Sequence, residues 1–292
     1  DAEAFRRLAE DADVVMESFR PGVMEKLGCD YERLRARNPK LVYAALTGYG
    51  QTGPYARRPG HDMNYRGYAG DLDQNAAAGG APVQGNFQVA DLAGGALTCA
   101  VGILAAVLGA RASGQGTFVD VGMMDGTLAL QVAALSARRT VGTTPRPGED
   151  GLSGAVPNYA LYETADGRHL AVGSLEFKFF KRLLELAGAT DLLKLPLAPG
   201  AKGEPLRQAL KALFKQRTRD EWEALLAHED TCVSGILTLD EALENEQVKA
   251  RELVEQVNGK PAIALPIRFS HAQATRGEAP ALGAHTEEVL RR

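Results

Sequence analysis

The chain opens as an alternation of two hydrophobic patterns. In "AEAFRRLAEDA", from Ala2, apolar residues recur every three or four positions, which predicts an amphipathic helix. "DVVMESF", from Asp13, is a short continuous apolar run and predicts a buried strand. "DYERLRARNP" then predicts a short helix stopped before Pro39, and "LVYAALTGYG" a second strand ending in a glycine-rich turn. Strand and helix in alternation predict a parallel α/β unit. Ligands of such sheets bind at the carboxyl ends of the strands, which here carry "SFRPG" (Ser18 to Gly22) and "TGYGQTGP" (Thr47 to Pro54).

Residues 54 to 90 read as loop-rich, followed by a helix from Asp91 to Ala112. "SGQGTFVDVGMMDG" predicts a turn, a strand and a helix start, and a further apolar helix runs roughly from Thr127 to Arg138. The composition shifts at Gly142 to Asn158, the best domain boundary in the chain. Beyond it, "ALYETADGRHLAVGS" predicts two strands joined at Asp166-Gly167, a hairpin signal. Capping boxes pair Thr218 with Glu221 and Thr238 with Glu241. "PAIALPIRFS" reads as a late extended segment and "HTEEVLRR" as a terminal helix. The picture is an α/β body followed by a mixed α+β module.

Composition narrows the function. The net charge is -4, with no block of like charges, so nucleic acid is a poor partner: polyanion binding needs a concentrated basic surface. Cys29, Cys99 and Cys232 lie far apart and form no C-x-x-C pair, which argues against a disulfide framework or structural zinc and fits a reducing cytoplasm. No signal peptide is visible, and the opening on a helix without Met suggests a missing N-terminal part. Leu92 to Ala110 carries no charge and meets the length criterion for a membrane span. Its Ala and Gly content and lack of an aromatic belt favour a helix buried in a protein interior, so no membrane partner is expected.

The chain has no G-x-G-x-x-G opening a helix after a strand, no Walker A loop, no G-x-S-x-G elbow and no H-E-x-x-H. His169, His228, His271 and His285 read as surface residues in turn or helix-end contexts. His61 stands in "GHDMNY" just past the glycine-rich strand end, without further ligands at metal spacing. Asp91, just before an apolar helix, reads as an N-cap, a placement that also suits a base or nucleophile. Glu176 ends a strand and opens a helix among Phe177, Phe179 and Phe180. Arg20 and Lys26, at a strand's carboxyl end, suit phosphate groups or are solvated surface charge.

"ESFRPGVMEKLGCDYERLRARNPKLVYAALTGYGQTGPYARRPGHDMNY" resembles the family III coenzyme A transferases, most closely their α-methylacyl-CoA racemase branch. The resemblance continues through "VADLAGGAL", "SGQGTFVDVGMMDG", "LYETADGRHLAVGSLEFKFF" and "ALGAHTEEVL". It implies a Rossmann-like large domain (residues 1–141), a linker (142–158), a smaller α+β domain (159–265) and a C-terminal return to the large domain (266–292). It also implies an interlocked homodimer with an active site between domains.

Within that family an aspartate matching Asp91 attacks an acyl-CoA in the transferases and is an acid/base in the racemases. The racemases add a histidine matching His61 and a glutamate matching Glu176 that pairs with it. All three are present, so the resemblance implies racemisation of 2-methylacyl-CoA thioesters through an enolate. A CoA transferase using Asp91 as nucleophile is the alternative, and a non-catalytic CoA-binding protein a further one. Inversion needs one acid/base on each face of a planar intermediate. By resemblance, the Asp62 N–H is a donor to the thioester oxygen, Tyr65 lines the acyl pocket, and Gly60, Met63 and Asn64 of the same hexapeptide meet the substrate. Arg20 and Lys26 match positions near the adenine and phosphates of CoA. No cofactor or metal is implied, CoA being part of the substrate. Racemases often carry an asparagine four residues before the aspartate; here Phe87 stands there and Asn86 is adjacent, which leaves the acyl specificity open.

Overall fold

The computed structural model describes residues 1–272 and 279–291, which form two compact units. One comprises Asp1–Gly148 with the C-terminal helix Thr286–Arg291; the other is Glu149–Ala284. Of the segment 266–292, residues 273–278 and 292 lie outside the described residues.

The first unit is built on three parallel strands, β1 (Val14–Glu17), β2 (Val42–Thr47) and β3 (Phe118–Gly122), in the order β1-β2-β3. Val14 lies opposite Val42, and Tyr43 opposite Phe118. The central strand is buried along its whole length, as a two-sided parallel sheet requires of a continuous apolar run. Helices α1 (Ala2–Glu10), α2 (Val23–Leu27) and α3 (Tyr31–Arg37) flank the first two strands in sequence. Tyr43 and Ala45 pack with Ala9 of α1, Leu34 of α3 and Val15, while Ala44 and Leu46 point to the other face, with Cys99 and Val121. The alternation follows from the period of two along a strand.

After β2 the loop-rich stretch contains α4 (Asp62–Ala69) and α5 (Asp71–Gln74), which the sequence pattern does not resolve. Then comes α6 (Ala90–Ser113), wound as a π-helix over Ala90–Leu97 and as an α-helix over Thr98–Ser113. Helix α7 (Met123–Ala129) packs against the π-wound part through two glycines. A Cβ on Gly94 would sit 2.7 Å from the Thr127 nitrogen and 2.8 Å from the Met123 carbonyl oxygen, and one on Gly126 would strike the Gly94 backbone. The expected single helix from Thr127 to Arg138 is two: α7 ends at Ala129 and α8 (Val132–Val141) follows. Gln131 breaks the run with non-helical ψ and donates its side-chain N–H to the Ala69 carbonyl.

The expectation that the apolar helix lies in an interior is corrected for α6. Cys99 and Ala110 are buried, but Leu97, Val101, Leu104 and Leu108 are 66%, 68%, 65% and 68% exposed. These four recur at helical spacing on one face, and no element among the described residues of the first unit covers that stripe. The helix is long and apolar enough to cross a membrane by length and composition.

In the second unit β4 (Tyr159–Glu163), β5 (His169–Gly173) and β6 (Val233–Gly235) form an antiparallel sheet in that order. The Asp166-Gly167 turn joins β4 to β5, with Gly167 at φ 75°. His169 opens β5 and, like His228, His271 and His285, is exposed. Helices α9 (Phe177–Leu186), α10 (Glu204–Phe214) and α11 (Arg219–Leu226) supply the core. Phe180, Leu183, Leu206, Leu210, Phe214 and Trp222 are all but fully buried with Tyr162 and Leu170. Each such side chain contributes roughly 1.5–3 kcal/mol by leaving water. The Trp222 indole donates to the Phe214 carbonyl at 2.9 Å, so its polar atom is not stranded. Both capping boxes form, Thr218 with Glu221 and Thr238 with Glu241. Strands Val254–Val257 and Lys260–Ile263 make a separate hairpin, so only the first residues of "PAIALPIRFS" are strand.

Candidate active site

The loops after β2 bring together a compact polar group. His61 is the N-cap of α4, with extended backbone (φ -134°, ψ 176°) and an exposed imidazole. Its N–H donates to Asn64 Oδ1 at 3.1 Å, so Asn64 closes the start of α4. Tyr65 is buried, and its hydroxyl donates to the Gly60 carbonyl at 2.5 Å. A Cβ on Gly60 would collide with the Tyr65 ring and the Tyr49 hydroxyl, which is why a glycine precedes His61. Met63 and Asn64 are exposed on the outer side of α4.

The sequence pattern makes Asp91 the N-cap of its helix; the structure corrects this. Val89 occupies the cap position with helical dihedrals, the helix begins at Ala90, and Asp91 lies in its first turn. Capping is done from a distance by Asp62. Its Oδ1 accepts the N–H of Ala90 at 2.7 Å and that of Asp91 at 3.2 Å. Asp62 thus has a structural duty for its side chain, beyond the main-chain role the resemblance implies. Its own N–H sits in the first turn of α4, where helix N–H groups have no intrahelical acceptor.

Asp91 is partly buried. Burial first, and then the neighbouring Asp62 carboxylate, push its carboxyl above the usual range, while His61 pulls it back. Burial also raises the Tyr65 hydroxyl, followed by Tyr49 and Asp91, with Arg20 opposing. His61, Asp62, Tyr65 and Asp91 therefore share one electrostatic environment. A carboxyl held above its ordinary value is a stronger proton acceptor than a free aspartate, as an acid/base group needs to be.

Arg20 lines a cleft of about 380 Å³ beside the sheet, with Glu17 at the end of β1, Tyr43 and Phe118 near the starts of β2 and β3, and Glu25, Asp30 and Glu32 around it. Lys26 is exposed on α2 and is not part of that lining. Glu176 belongs to the second unit, as the exposed N-cap of α9, its carbonyl accepting from Phe179 at 3.0 Å. Asn86 and Phe87 are both exposed. Among the described residues no three His, Cys, Asp or Glu side chains converge as metal ligands would.

Residues 1–286 match the profile of CoA-transferase family III. The chain belongs to that family. This family III protein is 34% identical to α-methylacyl-CoA racemase of Homo sapiens, over 99% of its own length and 76% of the human chain. It is 29% identical to acetyl-CoA:oxalate CoA-transferase of Acetobacter aceti, over 92% of this chain and 70% of that one. Its fold matches the crystal structure of a CaiB/BaiF family protein from Brucella suis with a TM-score of 0.85 and 29% identity, covering 99% of this chain and 78% of that one. Racemase and transferase chemistry thus both occur among its relatives.

Two features of the site escape a reading of the sequence. Tyr49, Tyr55, Tyr65 and Tyr68 pack ring against ring at 5.0 to 6.0 Å, with the Arg58 guanidinium 3.9 Å from the Tyr55 ring centre. Arg66, within α4, is buried. The second had a faint signal: Asp62 and Arg66 stand four residues apart, the spacing of a helical ion pair.

Proposed function

We propose that this protein interconverts the C2 epimers of 2-methylacyl-CoA thioesters, with His61 and Asp91 as the acid/base pair. One group removes the C2 proton, and the C–H electron pair moves into the C1–C2 bond to give an enolate with its charge on the thioester oxygen. The other group returns a proton to the opposite face. The observation that carries this reading is that Asp91, raised by burial and by Asp62, lies within electrostatic reach of His61. Two acid/base groups of different type that sense each other's charge suit a 1,1-proton transfer. The N–H of Asp62, in the first turn of α4, is the donor proposed for the enolate oxygen. Glu176 is assigned the orienting of the imidazole, and Arg20 and Lys26 a part in holding CoA, from the motif resemblance in the sequence. No cofactor enters this chemistry.

A second copy of the chain is the proposed cover for the exposed Leu97–Leu108 stripe of α6, because an uncovered apolar face of that size favours association. The alternative chemistry, supported by the likeness to acetyl-CoA:oxalate CoA-transferase, uses Asp91 as a nucleophile. Incubation with a 2-methylacyl-CoA in heavy water separates the two. Deuterium at C2 with no acceptor acid present is the expected result; a hydroxylamine-trappable acyl group on Asp91 without C2 exchange would overturn it. A wild type that does neither would leave CoA binding without catalysis.

A further inference from the structure

The Arg66 side chain is only 4% exposed, yet the reaction proposed above gives it no task. Its guanidinium joins three separate segments. Nε donates to Asp71 Oδ2 at 2.5 Å, at the start of α5. Nη1 donates to the Phe87 carbonyl at 3.3 Å, three residues before α6 begins, and lies 3.7 Å from Asp62 Oδ2. Asp62 uses its other oxygen, Oδ1, to hold the N–H groups of Ala90 and Asp91. The contacts run unbroken from Asp71 through Arg66 and Asp62 to the backbone of Asp91.

A buried guanidinium is costly unless its charge is answered, and here two carboxylates, Asp71 and Asp62, and the Phe87 carbonyl surround it. The planar fork also restricts geometry: with Nε set on Asp71, Nη1 is directed at both the Phe87 carbonyl and the Asp62 carboxylate, which a point charge does less well. The π-wound start of α6 adds to the need for such a brace, because its first N–H groups lack ordinary α-helical partners.

We infer that Arg66 is the positioning residue of Asp91, acting through Asp62 and anchored by Asp71. The inference rests on the reading of Asp91 as the reacting carboxylate, but its geometry can be tested apart from the reaction. Arg66→Leu, Arg66→Lys and wild type are compared in C2 hydrogen exchange and in NMR-detected amide exchange. Arg66→Leu should lower kcat roughly 10- to 100-fold with KM little changed, as displacement of a reacting group does. Protection should fall at the Ala90 and Asp91 amides and persist in the core of β2. Arg66→Lys keeps the charge without the fork and should recover much of kcat; it also serves if Arg66→Leu fails to fold.

Ala90 and Asp91 amides as protected in Arg66→Leu as in wild type would overturn the inference. So would a loss of kcat that Arg66→Lys does not relieve and that accompanies a fall in protection throughout the unit. If wild type moves no C2 hydrogen, the racemase reading falls by itself. Arg66 is then judged by the two amides and by acyl transfer to Asp91: a decline on replacement sustains the inference, and unchanged values sink it.

Discussion

The Asp62 carboxylate accepts the backbone N–H of Asp91 at 3.2 Å, so two aspartates 29 positions apart meet as cap and capped residue. One oxygen also takes the Ala90 N–H, and the other faces Arg66. Asp62→Ala should therefore lower stability by about 2 kcal/mol, losing the cap and one of the two carboxylates that face Arg66. Asp62→Asn keeps an acceptor oxygen and should lose less than about 1 kcal/mol. Urea denaturation of the two variants measures the difference.

Replacing the half-buried acid should divide activity from stability. Burial and Asp62 hold the Asp91 carboxyl above its unfolded value. A group raised in this way stabilises the fold fully below the unfolded value, about 3.9, and loses that contribution as pH rises through the folded one. At pH 7 the charged form is thus a burden, and Asp91→Asn should raise the melting temperature on the order of 2 °C. The gain should vanish near pH 4, while C2 exchange falls by roughly 10²-fold or more at every pH. Thermal scans at both pH values check the sign.

Gly94 has no room for a side chain between α6 and α7. Gly94→Ala should force the helices apart and destabilise the fold by about 1–3 kcal/mol. Gly109, with open space around it, is the internal control: Gly109→Ala should be neutral or slightly stabilising in the same denaturation experiment.

The stripe on α6 makes a prediction about assembly. Light scattering should find a dimer in wild type, and Leu104→Glu should shift the population towards monomer, because a charge cannot be buried unpaired against a second copy. A monomeric wild type would refute the proposed cover.

In the second unit Glu241 accepts from Arg168, from Arg219 at 3.0 and 3.1 Å, and from the Thr238 N–H at 2.8 Å. The Arg168 hydrogen bond, then that of Arg219, holds its carboxyl far below the ordinary range. A depressed carboxylate stabilises above its unfolded value and loses that contribution as pH falls through the folded one. Glu241→Gln should therefore melt earlier than wild type at pH 7. The gap should narrow progressively below about pH 4.3, the unfolded glutamate value.

Local pattern by itself determined the elements that depend on neighbours in the chain. The apolar run Val42–Thr47 is a buried strand, Asp166-Gly167 turns a hairpin, and Thr218 and Thr238 cap helices with glutamates three residues on. Each is set by backbone geometry within a few residues, and the parallel α/β class follows from their alternation. The motif residues also pointed to the family. What the tertiary structure decided lies at longer range. That Asp62 rather than Asp91 caps α6, that Arg66 is buried between Asp62, Asp71 and the Phe87 carbonyl, and that one face of α6 is left uncovered depend on which segments pack together. An acceptor 28 residues away satisfies a helix N–H as well as a cap next to it, because a hydrogen bond depends on distance and direction and is indifferent to separation along the chain.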